Sequence, residues 1–206
     1  SHGDSELKLS EVGNTMDIVV SNIIQVLDEM GIQSAVFMGV SLGTIFIKYM
    51  EMRYESYIDK AILVGALGAV GKPLRRAVNV FARIGDKLPF PIVYRIMAKL
   101  FMPWKVSRTS RKVFCKCAKA LNSVEFKAYM NIFIEHFSFC DEFVSVSHEE
   151  NIYISGRGDL CFINGIVEES DLTDATLIII EHCGHVCNID QGRQFNEIIS
   201  EVLSIE

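Results

Sequence analysis

Apolar positions along the chain follow two rhythms. The runs Ala35–Val40, Ala61–Val64, Asn151–Gly156 and Thr176–Ile180 are short, continuous and bounded by Gly, Ser or charged residues. They read as buried strands, Thr176–Ile180 being the most apolar. Between them the spacing turns helical. Thr15–Met30 precedes the first strand, and Leu42–Tyr54 follows it with Ile45, Phe46, Tyr49 and Met52 at helical intervals. A further helix begins near Asp190. From Gly71 to Ser147 the periodicity is helical throughout: Leu74, Ala77, Val78 and Phe81 form one stripe, and Ile92, Val93, Ile96, Met97, Leu100 and Phe101 a second. Phe114, Cys117, Ala118 and Leu121 form a third, and Phe126, Met130, Phe133 and Phe137 a fourth. Pro73, Pro89, Pro91 and Pro103 punctuate the first half of this insert, so four helices, or one of them broken, are expected. The whole reads as an α/β fold: a mostly parallel sheet flanked by helices, with a core at 1–70 and 148–206 and an inserted helical cap at 71–147.

Chemistry concentrates where the strands end. Ala35–Val40 runs directly into Gly39-Val-Ser41-Leu-Gly43, the G-x-S-x-G turn that exposes a Ser hydroxyl between a strand and a helix. Ser is a weak nucleophile and needs a base to take its proton. The Cβ-less Gly39 and Gly43 would let strand and helix pass close to a strained Ser41. The third strand ends in Ser155-Gly-Arg-Gly-Asp159, and the fourth in Glu181-His182-Cys183-Gly184-His185. Ser, acid and His thus follow one another in that order, each beyond the carboxyl end of a different strand, where open α/β sheets place their crevice.

These residues resemble the α/β-hydrolase superfamily, in its single-domain esterase and lipase-like branch with a helical cap, over nearly the whole chain. The resemblance implies Ser41 as nucleophile, Asp159 as the acid after the family's seventh strand, and His185, in Gly184-His185-Val186, as general base. It also implies an oxyanion hole formed in part by the Leu42 N–H. Some members carry the acid after the sixth strand, but here Ala61–Val64 leads into Gly65-Ala-Leu-Gly-Ala69, which holds no carboxylate. The opening Ser1-His2-Gly3-Asp4-Ser5 resembles the H-G-x-S turn that members place after their fourth strand. The expectation is therefore of an N-terminally truncated domain holding strands 5 to 8. Such a domain would lack the loop after strand 3 that supplies the second oxyanion donor, at a typical cost of about two to three orders of magnitude in turnover. It would also leave strand 5 an open edge through which the chain could self-associate.

Composition adjusts this picture. With 206 residues, 50% hydrophobic and 22% charged, the chain can fill one α/β core. No run reaches the ~18 apolar residues of a membrane span. Six Cys in no scaffold spacing point to reduced thiols and a cytoplasmic setting. Cys183-Gly-His-Val-Cys187 and Cys115-Lys-Cys117 lack the second ligand pair of a zinc site, so no metal and no organic cofactor is expected. His182 lies at a strand exit rather than in the Gly-His turn, His136 and His148 lie in or near the cap, and His2 belongs to the opening turn.

Charge is uneven. Lys72–Lys119 carries 13 Lys or Arg against Asp86 alone, within a chain whose net charge is −6. Beyond a solvated helix face, this fits an anionic lipid surface or an acidic acyl carrier. Nucleic acid is not expected, because no nucleic-acid motif accompanies the charge. The expected function is hydrolysis of a small-molecule ester, thioester or related acyl bond through a Ser41-His185-Asp159 triad and an acyl-enzyme. An acyltransferase on the same triad, or a non-catalytic or inactive truncated chain, are the alternatives.

Overall fold

The four apolar runs form one parallel sheet. A computed structural model of the chain describes residues 15–68, 75, 76, 78, 80, 89–103, 105–117, 123–146 and 150–204, the side chains of 15, 123 and 137–146 excepted. Strands β1 (Ala35–Val40), β2 (Ile58–Val64), β3 (Ile152–Gly156) and β4 (Thr176–Ile180) lie in the order β1-β2-β3-β4. Val40 pairs with Val64, Val64 with Ile154, and Ile154 with Ile178, so the carboxyl ends align along one rim. β2 begins three residues before the expected Ala61: exposed Asp59 and half-buried Lys60 interrupt its apolar run, and the pairing with β1 shifts register at Asp59, from Ala35–Ile58 to Val36–Lys60.

Alternation within the strands divides the core into two layers, as it must in a sheet covered on both faces. Ala61, Leu63 and Tyr153 join one layer with α1 (Thr15–Met30) and α2 (Leu42–Tyr54). Ile62, Val64, Ile154 and Ile180 join the other with Phe195 and Val202 of the C-terminal helix, Gly192–Ser204. α1 presents Met16, Val20, Ile24 and Leu27 at three- and four-residue intervals, the single stripe of a helix on a core face. α2 departs from the expected one-sided stripe. Ile45, Ile47, Tyr49 and Met50 are buried around most of its circumference, while Phe46 and Met52 are only half-buried, because the helix is packed between the sheet, α1 and the insert.

Between β2 and β3 run α3 (Phe90–Phe101), α4 (Arg108–Cys117) and α5 (Ser123–Val146). Pro89 and Pro91 open α3, where a missing N–H costs nothing, and Pro103 follows its end. Of the first insert stripe, Val78 is buried, while Leu74, Ala77 and Phe81 lie outside the described residues, as do Ala118, Leu121 and the Phe137 side chain. The second stripe splits. Val93, Met97 and half-buried Phe101 turn inward, whereas Ile92, Ile96 and Leu100 are exposed. α6 (Ile163–Thr173) joins β3 to β4, and α7 (Cys187–Asp190) and α8 (Gly192–Ser204) complete the chain. Among the described residues β1 is the end strand of the sheet, and Val36 and Met38 are exposed there.

Candidate active site

Ser41 sits between β1 and α2 with φ 51°, ψ −113°, a left-handed backbone that a residue with a Cβ enters at a cost of about 1–3 kcal/mol. The turn holds because its polar groups are satisfied: Ser41 N–H donates to Val64 O at 2.9 Å, and Thr44 Oγ1 donates to Ser41 O at 2.7 Å. Gly39 is what the tight strand-to-helix approach requires, since a Cβ there would lie 2.7 Å from the Gly43 backbone. Gly43 differs from expectation: a Cβ on it would meet nothing within 4 Å, so its own side is open.

Asp159 follows β3, and its backbone N–H donates to Gly156 O at 3.0 Å, closing a tight turn that aims the carboxylate along the rim. His185 follows β4. Its Nε2 lies 2.7 Å from Ser41 Oγ, and its Nδ1 lies 2.7 Å from Asp159 Oδ2. Asp159 is fully buried and His185 is 4% exposed. The three residues expected from chain order are therefore brought together in one hydrogen-bonded line. The His185 loop is seated against Gly65, whose φ is +52° and where a Cβ would stand 2.4 Å from His185 O. The imidazole packs against Phe162 at 5.2 Å and Phe101 at 6.0 Å between ring centroids, which fixes its plane and keeps water from its faces.

Leu42, the residue after Ser41, begins α2, so its N–H has no acceptor within the helix. The Ser1–Ser5 segment read as the H-G-x-S turn lies outside the described residues, as does His148. His182 is exposed with φ 57°, and its carbonyl accepts from Gln191 Nε2 at 3.2 Å; it takes no part in the line. His136 is buried, with Nε2–H donating to Leu67 O at 2.6 Å, and burial lowers its pKa to about 3, so it is a neutral strut between α5 and the loop after β2. Burial pushes the Cys183 and Cys187 thiols up to about 12, which keeps both protonated beside the site. Among the described residues no three His, Cys, Asp or Glu are grouped as a metal would require.

Ser41 and His185 open into a cavity of about 320 Å³. Its walls come from the insert, with Tyr94, Met97, Phe101, Tyr129 and Phe133, and from Phe162, which precedes α6. Among the described residues, no Asp, Glu, Lys or Arg lines it, and no His other than His185. Phe101 and Phe133 belonged to the expected stripes. Phe162 and Tyr129 did not stand out, although an aromatic three residues after Asp159 lies one helical turn from the acid and was a readable sign.

A second buried polar group, between α2 and α6, escaped the sequence reading. Lys48 of α2 is buried and ion-paired with Glu169 of α6, which also accepts from Tyr153 Oη at 2.7 Å. Asn151 Nδ2 donates to Glu51 Oε1 at 2.6 Å, tying α2 to the start of β3.

No protein-family model matches the chain, and no curated protein sequence matches it. Solved structures do. An esterase from Exiguobacterium antarcticum superposes with a TM-score of 0.79 at 16% identity, over 98% of this chain and 78% of its own. The chain has the α/β-hydrolase fold. An enol-lactonase from Burkholderia xenovorans LB400 gives 0.76 at 16% identity, over 98% and 77%. A meta-cleavage product hydrolase from Pseudomonas fluorescens IP01 gives 0.69 at 20% identity, over 98% and 74%. These hydrolases share an architecture with this chain and differ among themselves in chemistry, as hosts of one fold commonly do.

Proposed function

We propose that the protein is a serine hydrolase that cleaves a neutral, apolar acyl ester or thioester through an acyl-enzyme. The observation that carries this is the Ser41-His185-Asp159 line, with two 2.7 Å contacts, at the mouth of an apolar cavity. In this reading Ser41 Oγ attacks the acyl carbon while His185 Nε2 takes its proton, and Asp159 holds the tautomer with Nδ1–H and offsets the imidazolium charge. The Leu42 N–H donates to the oxyanion. His185 then gives the proton to the departing alcohol or thiol, and water, deprotonated by the same nitrogen, releases the acid and restores Ser41. The helices α3 to α5 act as a cap that excludes bulk water from these steps.

Cavity size and chemistry select the acyl group. At ~30 Å³ per water-sized unit, 320 Å³ holds on the order of ten non-hydrogen atoms. A carboxylate placed among Met97, Phe101, Phe133 and Phe162 would lose its hydration without a partner, so dicarboxylic monoacyl groups are rejected. The test is labelling by a fluorophosphonate probe together with hydrolysis of p-nitrophenyl octanoate. Both are expected of the wild type, and neither of Ser41→Ala with an unchanged circular-dichroism spectrum. Labelling that persists in Ser41→Ala would overturn the assignment.

A further inference from the structure

The helix α3 is apolar on both faces. Exposure along it runs in pairs: Pro91 and Ile92 out, Val93 and Tyr94 in, Arg95 and Ile96 out, Met97 and Ala98 in, Lys99 and Leu100 out. Its inner face supplies Tyr94, Met97 and Phe101 to the cavity, which accounts for that half of its apolar residues. Nothing in the site accounts for the other half. Ile92, Ile96 and Leu100 recur every four residues, so they form a single outward ridge, and they are 45, 41 and 40% exposed. Val106 and Val113, in the connection and on the adjoining α4, extend the exposed apolar surface.

The charged residues of this stretch carry one sign. Arg95 and Lys99 flank the ridge on α3, and exposed Lys105, Arg108, Lys112 and Lys116 lie in the connection and on α4. From Pro89 to Cys117 there is no Asp or Glu, although the whole chain is net negative at −6. We infer that the outer face of α3, with α4 beside it, is a membrane-contacting surface that lays the protein on an anionic lipid bilayer. A protein held in water gains nothing from a continuous Ile-Ile-Leu ridge. An interfacial helix needs such a ridge to enter the headgroup boundary, with Lys and Arg stems reaching back to lipid phosphates. The acidic remainder of the chain is repelled by the same surface, which orients the molecule with α3 downward. Among the described residues no helix is long and apolar enough to cross a membrane, so the contact is one of lying on the bilayer. On the hydrolase reading given above, α3 then stands between the lipid and the cavity into which Ser41 opens.

The test is co-sedimentation of the full chain with vesicles of phosphatidylcholine, with and without phosphatidylserine. Binding is expected only with phosphatidylserine and should weaken steeply as salt rises, since exposed charges are screened beyond a Debye length. Replacing Arg95 and Lys99 by Gln should lower the partition roughly thirtyfold, at about fivefold per charge. Replacing Ile92, Ile96 and Leu100 by Asn should lower it about tenfold or more, because the apolar ridge no longer enters the boundary. All these positions are exposed, so melting temperature and fluorophosphonate labelling of Ser41 should be unchanged in both variants. Absence of sedimentation at low salt would overturn the inference. So would binding indifferent to the Asn triple variant, which would mean that charge alone attracts the protein. Concentration-dependent dimers that this variant abolishes, with no vesicle binding, would instead make the ridge an interface between copies of the chain. Failure on vesicles with labelling intact separates this inference from the hydrolase reading.

Discussion

Lys48→Met isolates the buried ion pair between α2 and α6. Lys48 is 1% exposed and reaches Glu169, 3% exposed, whose Oε1 also accepts from Tyr153 Oη at 2.7 Å. Met fills much the same volume, so little is lost in packing. Glu169 would keep its Tyr153 hydrogen bond but lose the compensating charge in a site sealed from water. Removing one member of such a pair costs about 3–5 kcal/mol, and a chain of this length shifts its Tm by about 2–4 °C per kcal/mol, so a fall on the order of 10 °C is expected. The double variant Lys48→Met, Glu169→Gln should recover most of the loss, since no unpaired charge remains and the Gln can still accept from Tyr153. Urea unfolding of the four-member cycle gives the coupling directly. Lys48 lies two helical turns beyond Ser41, and Glu169 lies on the helix that follows Asp159. The destabilised variant should therefore also lose probe labelling before it melts. A cost for Lys48→Met below about 1 kcal/mol, or a double variant no better than the single, would refute the reasoning.

Gly65→Ala should be among the most damaging single-methyl changes, because φ +52° disfavours a side chain and its Cβ would stand 2.4 Å from His185 O; a lowered melting temperature and slowed fluorophosphonate labelling should appear together. His136 titrates near 3 when folded against about 6.5 when unfolded. The folded state therefore binds fewer protons in that window, and stability falls as pH drops from about 6.5 toward 3; His136→Gln should flatten this slope in urea melts at neutral and mildly acidic pH. Asp159→Asn should retain the fold yet lower turnover by about four orders of magnitude, as loss of the correct imidazole tautomer does elsewhere. Across p-nitrophenyl esters from acetyl to octanoyl, kcat/KM should rise by about fourfold per methylene buried, following ~0.8 kcal/mol each, and a succinyl ester should react poorly.

What the sequence determined by itself is local. The β1–Ser41–α2 unit was readable because an apolar run, a Gly on either side of Ser41 and a helical spacing are all written within twenty residues. Asp159 and His185 were readable because each follows the carboxyl end of a strand, where open α/β sheets place their crevice, and because the resemblance to the α/β-hydrolases implies the order Ser, acid, His. Tertiary structure decided whatever depends on which face is covered. α3 carries apolar residues around its whole circumference, so its period marks a helix without saying that Val93 and Met97 turn inward while Ile92 and Ile96 stay exposed. Lys48, Glu51 and Glu169 carry the marks of surface residues, yet they are buried because partners far along the chain meet them: Lys48 with Glu169, and Glu51 with Asn151. Asp59 and Lys60 hid the start of β2, since Ile58 and Lys60 pair with β1 on either side of a register shift at Asp59 that the apolar pattern does not mark. The cavity is the fullest case. Its walls come from the β1–α2 turn, α3, α4, α5, Phe162 and the His185 loop, and residues so far apart in sequence acquire a common inside only when long-range packing brings their elements together.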